Sequence, residues 1–409
     1  MTEERLPLAG LRVLDYGQYV AAPFATMLLS DLGADVVKVE PPAGDEWRRY
    51  DPFVPGESRY FYALNRGKRS VALDLKTPEG RERSRELIGS ADALVHNCLP
   101  ERARRFGLDR DSVHDVNPRC VTVCVSAFGS DGPDSARPAY DLIGQALSGL
   151  LLADPRPGDT VPRRTGGLAL ADFTAGLLAA LSVTSGLLGR GEEAPELEVS
   201  LLGAALALQA QRFVSVEGVD GEAHDGRGRG AAEGGRAAGR VALEEAAARV
   251  EALEALDPYY RAHACADGFV ALACLNTAQR VRVSELFGLE DAFAGNPQAA
   301  PADADEHRRR SAHVRAVEDA FARLSVRDAV DALSARGVPA GEVRSLDQLV
   351  DDEQVRANGL VQTVDQPGVG PVRLLGSPFK VDGRPSASGR PAPALDQHAA
   401  ELLGEPQRR

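Results

Sequence analysis

The chain has no surplus of positive charge: 60 acidic residues against 47 lysines and arginines leave a formal net charge of −13. That balance argues against a nucleic-acid partner, because phosphate backbones are bound by an excess of Lys and Arg. A small anionic ligand needs only a local basic site. The sequence also lacks a run of 18 uncharged apolar residues, and the nearest stretch, 173–188, is broken by Thr and Ser, so it reads as core and no membrane partner is expected. The opening M-T-E-E-R-L-P-L has no basic segment followed by an apolar one, so no signal peptide is expected. Five cysteines, Cys98, Cys120, Cys124, Cys265 and Cys274, are odd in number and have no metal-ligand pairing. Reduced thiols in a cytoplasmic protein are the simplest reading. Absent too is a G-x-G-x-x-G fingerprint after the first predicted strand, where D-Y-G-Q-Y-V-A-A-P offers only Gly17. A nicotinamide dinucleotide held in the usual way is therefore not expected.

What is present is a repeated alternation of strand and helix patterns. Residues 11–16 (L-R-V-L-D-Y) are followed by an apolar, small-residue segment at 21–32 and then by D-V-V-K-V-E at 35–40. The alternation continues with S-V-A-L-D-L at 70–75, a helix opened by T-P-E-G at Thr77, A-D-A-L-V-H at 91–96, a helix at 100–106 and C-V-T-V-C-V-S at 120–126. Thr77 is placed as N-cap and Pro78 as first helical residue. Apolar runs separated by helices predict a Rossmann-like, doubly wound parallel sheet, with ligands beyond its carboxyl strand ends. Basic residues collect near strand ends: Arg66, Lys68 and Arg69 before the third strand, Lys76 after it, and Arg102, Arg104 and Arg105 after the fourth. They read either as a solvated face or as phosphate contacts.

One acid stands out. In R-R-T-G-G-L-A-L-A-D-F-T-A-G, Asp172 lies among small apolar residues at the start of about five turns that are apolar nearly all round, which predicts a buried helix. Two readings stay open: an N-cap accepting a backbone N–H, or a carboxylate oriented by helix-end N–H groups as nucleophile or base.

Seven segments in order resemble the family III CoA-transferases, the group of formyl-CoA transferase, carnitine CoA-transferase and α-methylacyl-CoA racemase. They are L-A-G-L-R-V-L-D at Leu8, G-A-D-V-V-K-V-E-P-P at Gly33, N-R-G-K-R-S-V-A-L-D-L-K-T at Asn65, R-P-A-Y-D-L-I-G-Q-A-L-S-G-L at Arg137, A-D-F-T-A-G at Ala171, E-V-S-L-L-G-A-A-L at Glu198 and R-G-V-P-A-G-E-V at Arg336. The resemblance implies a catalytic set of Asp172, Tyr140 and Asp141, in which Asp172 attacks an acyl-CoA thioester and helix N–H groups hold it ionised. It implies a site for coenzyme A built from Val20, Ala21, Leu73, Asp74, Lys76, Asn97, Cys98 and Arg105, with Lys76 and Arg105 on phosphates. Acyl-CoA and a small carboxylic acid enter as substrates; no permanent cofactor and no metal is implied. Within the group the racemases carry His-Asp where this chain has Tyr140-Asp141, and a tyrosine does not abstract an α-proton at neutral pH. The alternatives are such a racemase or isomerase, and a non-catalytic CoA- or nucleotide-binding protein.

At 409 residues two domains are expected. The reading is a large CoA-binding domain at 1–216, a Gly-rich linker at 217–240, a smaller α+β domain at 241–336 and a return segment at 337–409. The spacing from Asp257 to Phe269 leaves no room for the glycine-rich lid of formyl-CoA transferase. An interlocked homodimer is implied by the resemblance. His398, on the predicted C-terminal helix, is expected at the surface.

Overall fold

The computed structural model describes residues 6–54, 57–155, 158–214, 256–296 and 301–404, with Val241, Leu243, Glu244 and Ala247 between them. The linker expected at 217–240 and, those four residues apart, the start (241–255) of the domain expected at 241–336 lie outside the described residues. The chain divides into two compact units. The larger comprises Met1–Leu151, Arg164–Val219 and Asp352–Arg409, and the smaller Leu152–Arg163 and Asp220–Asp351.

The larger unit is built on six parallel strands: β1 (Arg12–Asp15), β2 (Asp35–Glu40), β3 (Arg69–Ala72), β4 (Ala93–His96), β5 (Val121–Ser126) and β6 (Glu196–Ser200). Their order, β3-β2-β1-β4-β5-β6, is that of a doubly wound sheet, so the expected fold is present. Strand order reverses between β1 and β4, and a crevice opens there at the carboxyl ends. Side chains alternate across the sheet: Val13 and Val36 join one core cluster, Leu14 and Val37 the other. The α-helices of its first two segments, among the described residues and in chain order, are α1 (Ala21–Asp31), α2 (Arg59–Asn65), α3 (Pro78–Gly89), α4 (Pro100–Phe106), α5 (Arg110–His114), α6 (Asp141–Leu147), α7 (Leu170–Gly189) and α8 (Leu201–Ala207). Thr77 does cap α3, its hydroxyl accepting the Gly80 N–H at 3.0 Å.

Helix α7 departs from the expectation of burial all round. Its small residues Ala171, Ala175, Ala179, Val183 and Gly186 are buried, whereas Leu177, Leu181 and Leu188 on other faces are exposed. Small residues are needed on the packed face: a Cβ at Gly176 would stand 2.7 Å from the Ala21 carbonyl oxygen of α1, and one at Gly186 would stand 2.5 Å from Val121 Cγ1 of β5. By length and composition α7 could cross a membrane, but that face is taken by α1 and the sheet.

The basic residues before β3 are not phosphate contacts. Arg66 pairs with Asp31 at 2.5 Å, Lys68 with Asp15 at 2.8 Å, and Arg69 with Asp35 and Glu401. Burial of Arg66 and Lys68 explains why each has a carboxylate partner. His398 also departs from a plain surface role: its Nδ1 accepts the Ser70 N–H at 3.1 Å, and Asp396 accepts that of Ala72 at 2.7 Å. The C-terminal segment thus covers the outer edge of β3.

In the smaller unit, β7 (Tyr260–Ala264), β8 (Phe269–Ala273) and β9 (Ala340–Glu342) form an antiparallel sheet. Helices α9 (Thr277–Phe287), α10 (Ala304–Ala322) and α11 (Val326–Ser334) pack on it around Phe321 and Leu333. The segment at Arg336 therefore stays in this unit through β9, and the chain returns to the larger unit at Asp352 rather than at 337.

Candidate active site

The first helical residue of α7 is Leu170, its N-cap is Ala169, and no side chain of that N-cap residue bonds the helix. Asp172 stands in the first turn and is not the cap. The capping acceptor comes from α6: Asp141 Oδ1 takes the backbone N–H of Ala171 at 2.9 Å and of Asp172 at 3.3 Å. Asp141 is buried, and Gln145 Nε2 donates to its other oxygen at 2.7 Å and to the Leu168 carbonyl at 3.0 Å. Asp141 thus serves as the cap of α7, and the N–H groups of Ala171 and Asp172 go to Asp141 rather than to the Asp172 carboxylate.

Burial and then the nearby Asp141 carboxylate push the Asp172 pKa up from 3.8 to about 7. Both causes disfavour the charged form. Once ionised, such a carboxylate is a better nucleophile than an ordinary solvated one, because it has no strong donors to give up.

Asp172 faces a cavity of about 260 Å³ at the crevice between β1 and β4, which Val20, Ala21, Asn97, Cys98 and Tyr140 also line. A smaller cavity of about 80 Å³ adjoins it and is lined by Leu73, Asp74, Lys76 and Cys98; Tyr16, Gln18, Cys98 and Arg102 border both. The structure therefore gathers Asp172 and Tyr140 with seven of the eight expected ligand-site residues around two cavities that share part of their lining. The exception is Arg105, which is exposed with its guanidinium 5.2 Å from the ring centroid of Phe106. Arg102, one helical turn earlier, borders both cavities instead.

Several groove residues shape the wall rather than offer free polar atoms. Asp74 accepts the Lys76 N–H at 3.0 Å, forming the turn that precedes α3. Asn97 spends its amide on the loop after β1, accepting from Gln18 N–H at 3.1 Å and donating to Gln18 O at 2.8 Å. Burial pushes the Cys98 thiol up to about 11 and Cys124 to about 12, which keeps both from acting as nucleophiles near neutrality. Sequence reasoning gave no role to Tyr19, which borders the cavity with its hydroxyl 3.4 Å from that of Tyr140. Its φ of +66° carries no signature in the residue type.

The family pattern for CoA-transferase family III matches residues 8–399. The chain is 30% identical to a succinate–glutarate CoA-transferase of Agrobacterium fabrum, over 99% of this chain and 97% of that protein. It is also 30% identical to an acetyl-CoA:oxalate CoA-transferase of Acetobacter aceti, over 98% of this chain and 95% of that one. Among solved structures, a CaiB/BaiF family protein from Brucella suis superposes with a TM-score of 0.74 at 27% identity, covering 98% of this chain and 99% of that one.

Proposed function

Because the chain belongs to CoA-transferase family III, we propose that it moves CoA from an acyl-CoA to a carboxylic acid through a covalent intermediate on Asp172. The carrying observation is the placement of Asp172: the first turn of α7 presents it to a cavity that shares part of its lining with a second one, bordered by Arg102 and Lys76. Phosphates of CoA would meet those two cations, and the pantetheine arm would run past Cys98 and Gln18 to the carboxylate. There an Asp172 oxygen bonds to the thioester carbonyl carbon, the C–S bond breaks, and CoA leaves as thiolate. The thiolate then attacks the Asp172 carbonyl of the mixed anhydride, freeing the first acid and leaving an aspartyl-CoA thioester. The incoming carboxylate repeats the two steps in reverse, so every bond broken is matched by one formed. Val20, Ala21, Val125 and Leu201 give the cavity an apolar wall beside the reacting groups.

The named relatives exchange CoA among small carboxylic acids, which directs the test. Purified protein would be given acetyl-CoA or succinyl-CoA with a panel of mono- and dicarboxylic acids, and new CoA thioesters would be followed by mass spectrometry. Acceptor-dependent appearance of a new thioester supports the reading; thioester hydrolysis alone, or no turnover with any pair, contradicts it.

We further propose that the chain forms the interlocked homodimer implied by the family resemblance. Leu142, Leu147, Leu177, Leu181, Leu208 and Phe213 are each about half exposed or more in the isolated chain, a surface that association would cover. A dimer mass by light scattering is the expected result, and a monomer at micromolar concentration contradicts it.

A further inference from the structure

Tyr19 has φ = +66°, a left-handed conformation that a non-glycine residue seldom adopts. The surrounding loop is pinned to keep it there. Lys38, fully buried, donates to the Gly17 carbonyl at 2.9 Å and pairs with Asp45 at 3.0 Å. Asp45 Oδ1 accepts the Tyr19 N–H at 3.3 Å, and Asp15 Oδ1 accepts that of Gly17 at 2.9 Å. Together with the two Asn97 bonds to Gln18, each residue from Gly17 to Tyr19 is tied by its backbone to a side chain. Strain kept by buried charges points to a use for the residue that bears it.

Ring packing fixes where the Tyr19 hydroxyl goes. The ring stands edge-on to Tyr140 at 5.3 Å and to Trp47 at 5.4 Å, and the two phenol oxygens come within 3.4 Å of each other on the border of the Asp172 cavity. Of two O–H groups in contact, only one proton can lie between them, so the pair keeps one donor for a third oxygen. The hydrogen bond with Tyr140, then burial, raises the Tyr19 pKa to about 12, so it stays protonated in the working range.

Resting on the transfer chemistry proposed above, we infer that Tyr19 and Tyr140 act together as the donor pair for the reacting carbonyl oxygen. As the Asp172 oxygen bonds to the carbonyl carbon, the C=O π pair moves onto that oxygen and the free phenol O–H donates to it. When the pair returns, the C–S bond breaks and thiolate leaves; neither tyrosine loses its proton. Donors aimed at charge that develops only in the transition state affect kcat more than binding.

The test uses Tyr19→Phe, Tyr140→Phe and the double variant, each of which keeps its ring packing. Turnover is measured with the best donor and acceptor of the panel, CoA affinity by calorimetry, and Tm alongside. Tyr19→Phe should lower kcat by about 100- to 1000-fold, with CoA affinity and Tm unchanged. The double variant should fall little below the slower single one, since the hydroxyls work as a unit. Wild-type kcat in Tyr19→Phe, or a loss matched by weaker CoA binding or a lower Tm, overturns the inference and leaves the transferase reading standing. A wild-type protein without transfer activity on any pair overturns both.

Discussion

Asp141 Oδ1 accepts the backbone N–H of Asp172 at 3.3 Å, so the carboxylate that caps α7 and the carboxylate that faces the cavity are different residues one hydrogen bond apart. The cap leaves Asp172 without helix-end donors and adds a negative charge beside it. Asp141→Asn keeps an acceptor oxygen and removes the charge. It should move the acid limb of kcat/KM, set by Asp172 near pH 7, to lower pH, while Asp141→Ala should cost about 1–2 kcal/mol as a lost helix cap. A pH–rate profile and a denaturant melt separate the two; an acid limb that stays in place in Asp141→Asn means the charges are not coupled.

Stability should depend on pH through the same residue. The folded pKa of Asp172, about 7, lies above its ordinary 3.8, so the folded state binds the proton more tightly. Its contribution is fully present below about pH 4 and is lost as pH rises through 7. Asp172→Asn does not titrate, so its stability relative to wild type should rise between pH 4 and pH 8, by about 4 kcal/mol at most. Chemical denaturation at the two pH values is the measurement, and a pH-independent difference would count against the raised pKa.

Cations at the groove give a binding prediction. Arg102→Ala and Lys76→Ala should each weaken CoA binding by about 1.5–3 kcal/mol, the value of a charge-assisted hydrogen bond. Arg105→Ala, whose guanidinium lies against Phe106 outside both cavities, should bind CoA as wild type does. Calorimetry with CoA orders the three, and a larger loss at Arg105 than at Arg102 would reverse the assignment.

The contrast between Arg102 and Arg105 also marks how far residue order carries. Strand and helix alternation was legible because both periods are strong: four of the first five strands lie within their apolar runs, β3 starts one residue before its run at Arg69, and Thr77-Pro78 set the start of α3. Positions that the family resemblance placed at strand ends, such as Lys76 and Cys98, do line the cavities. The site was not legible where only three-dimensional packing decides. Which arginine of R-A-R-R turns toward the groove depends on helix phase, and which acid caps α7 depends on α6 lying 30 residues away in sequence. Likewise, Asn97 reads as a ligand contact until its amide is seen bonded to Gln18. Exposure of α7 was missed for the opposite reason: an apolar composition shows no face when every face is apolar.

Close packing of α7 makes a prediction about its glycines. Gly186→Leu would place atoms where Val121 Cγ1 is 2.5 Å from a Cβ, and should destabilise the larger unit by about 1–3 kcal/mol or prevent folding. Gly189→Ala, with nothing within 4 Å of its Cβ, should be neutral or slightly stabilising. Thermal melts of the two variants compare them directly.

The central claim is that Asp172 carries the acyl group and then CoA. Protein incubated with an active acyl-CoA donor in the absence of acceptor, then quenched with hydroxylamine or borohydride and digested, should carry its modification on the peptide containing Asp172. Asp172→Ala should show no label and no transfer while binding CoA with wild-type affinity. A label on Cys98 or another thiol, or acceptor-dependent transfer with no modified Asp172 at any time, would contradict the account.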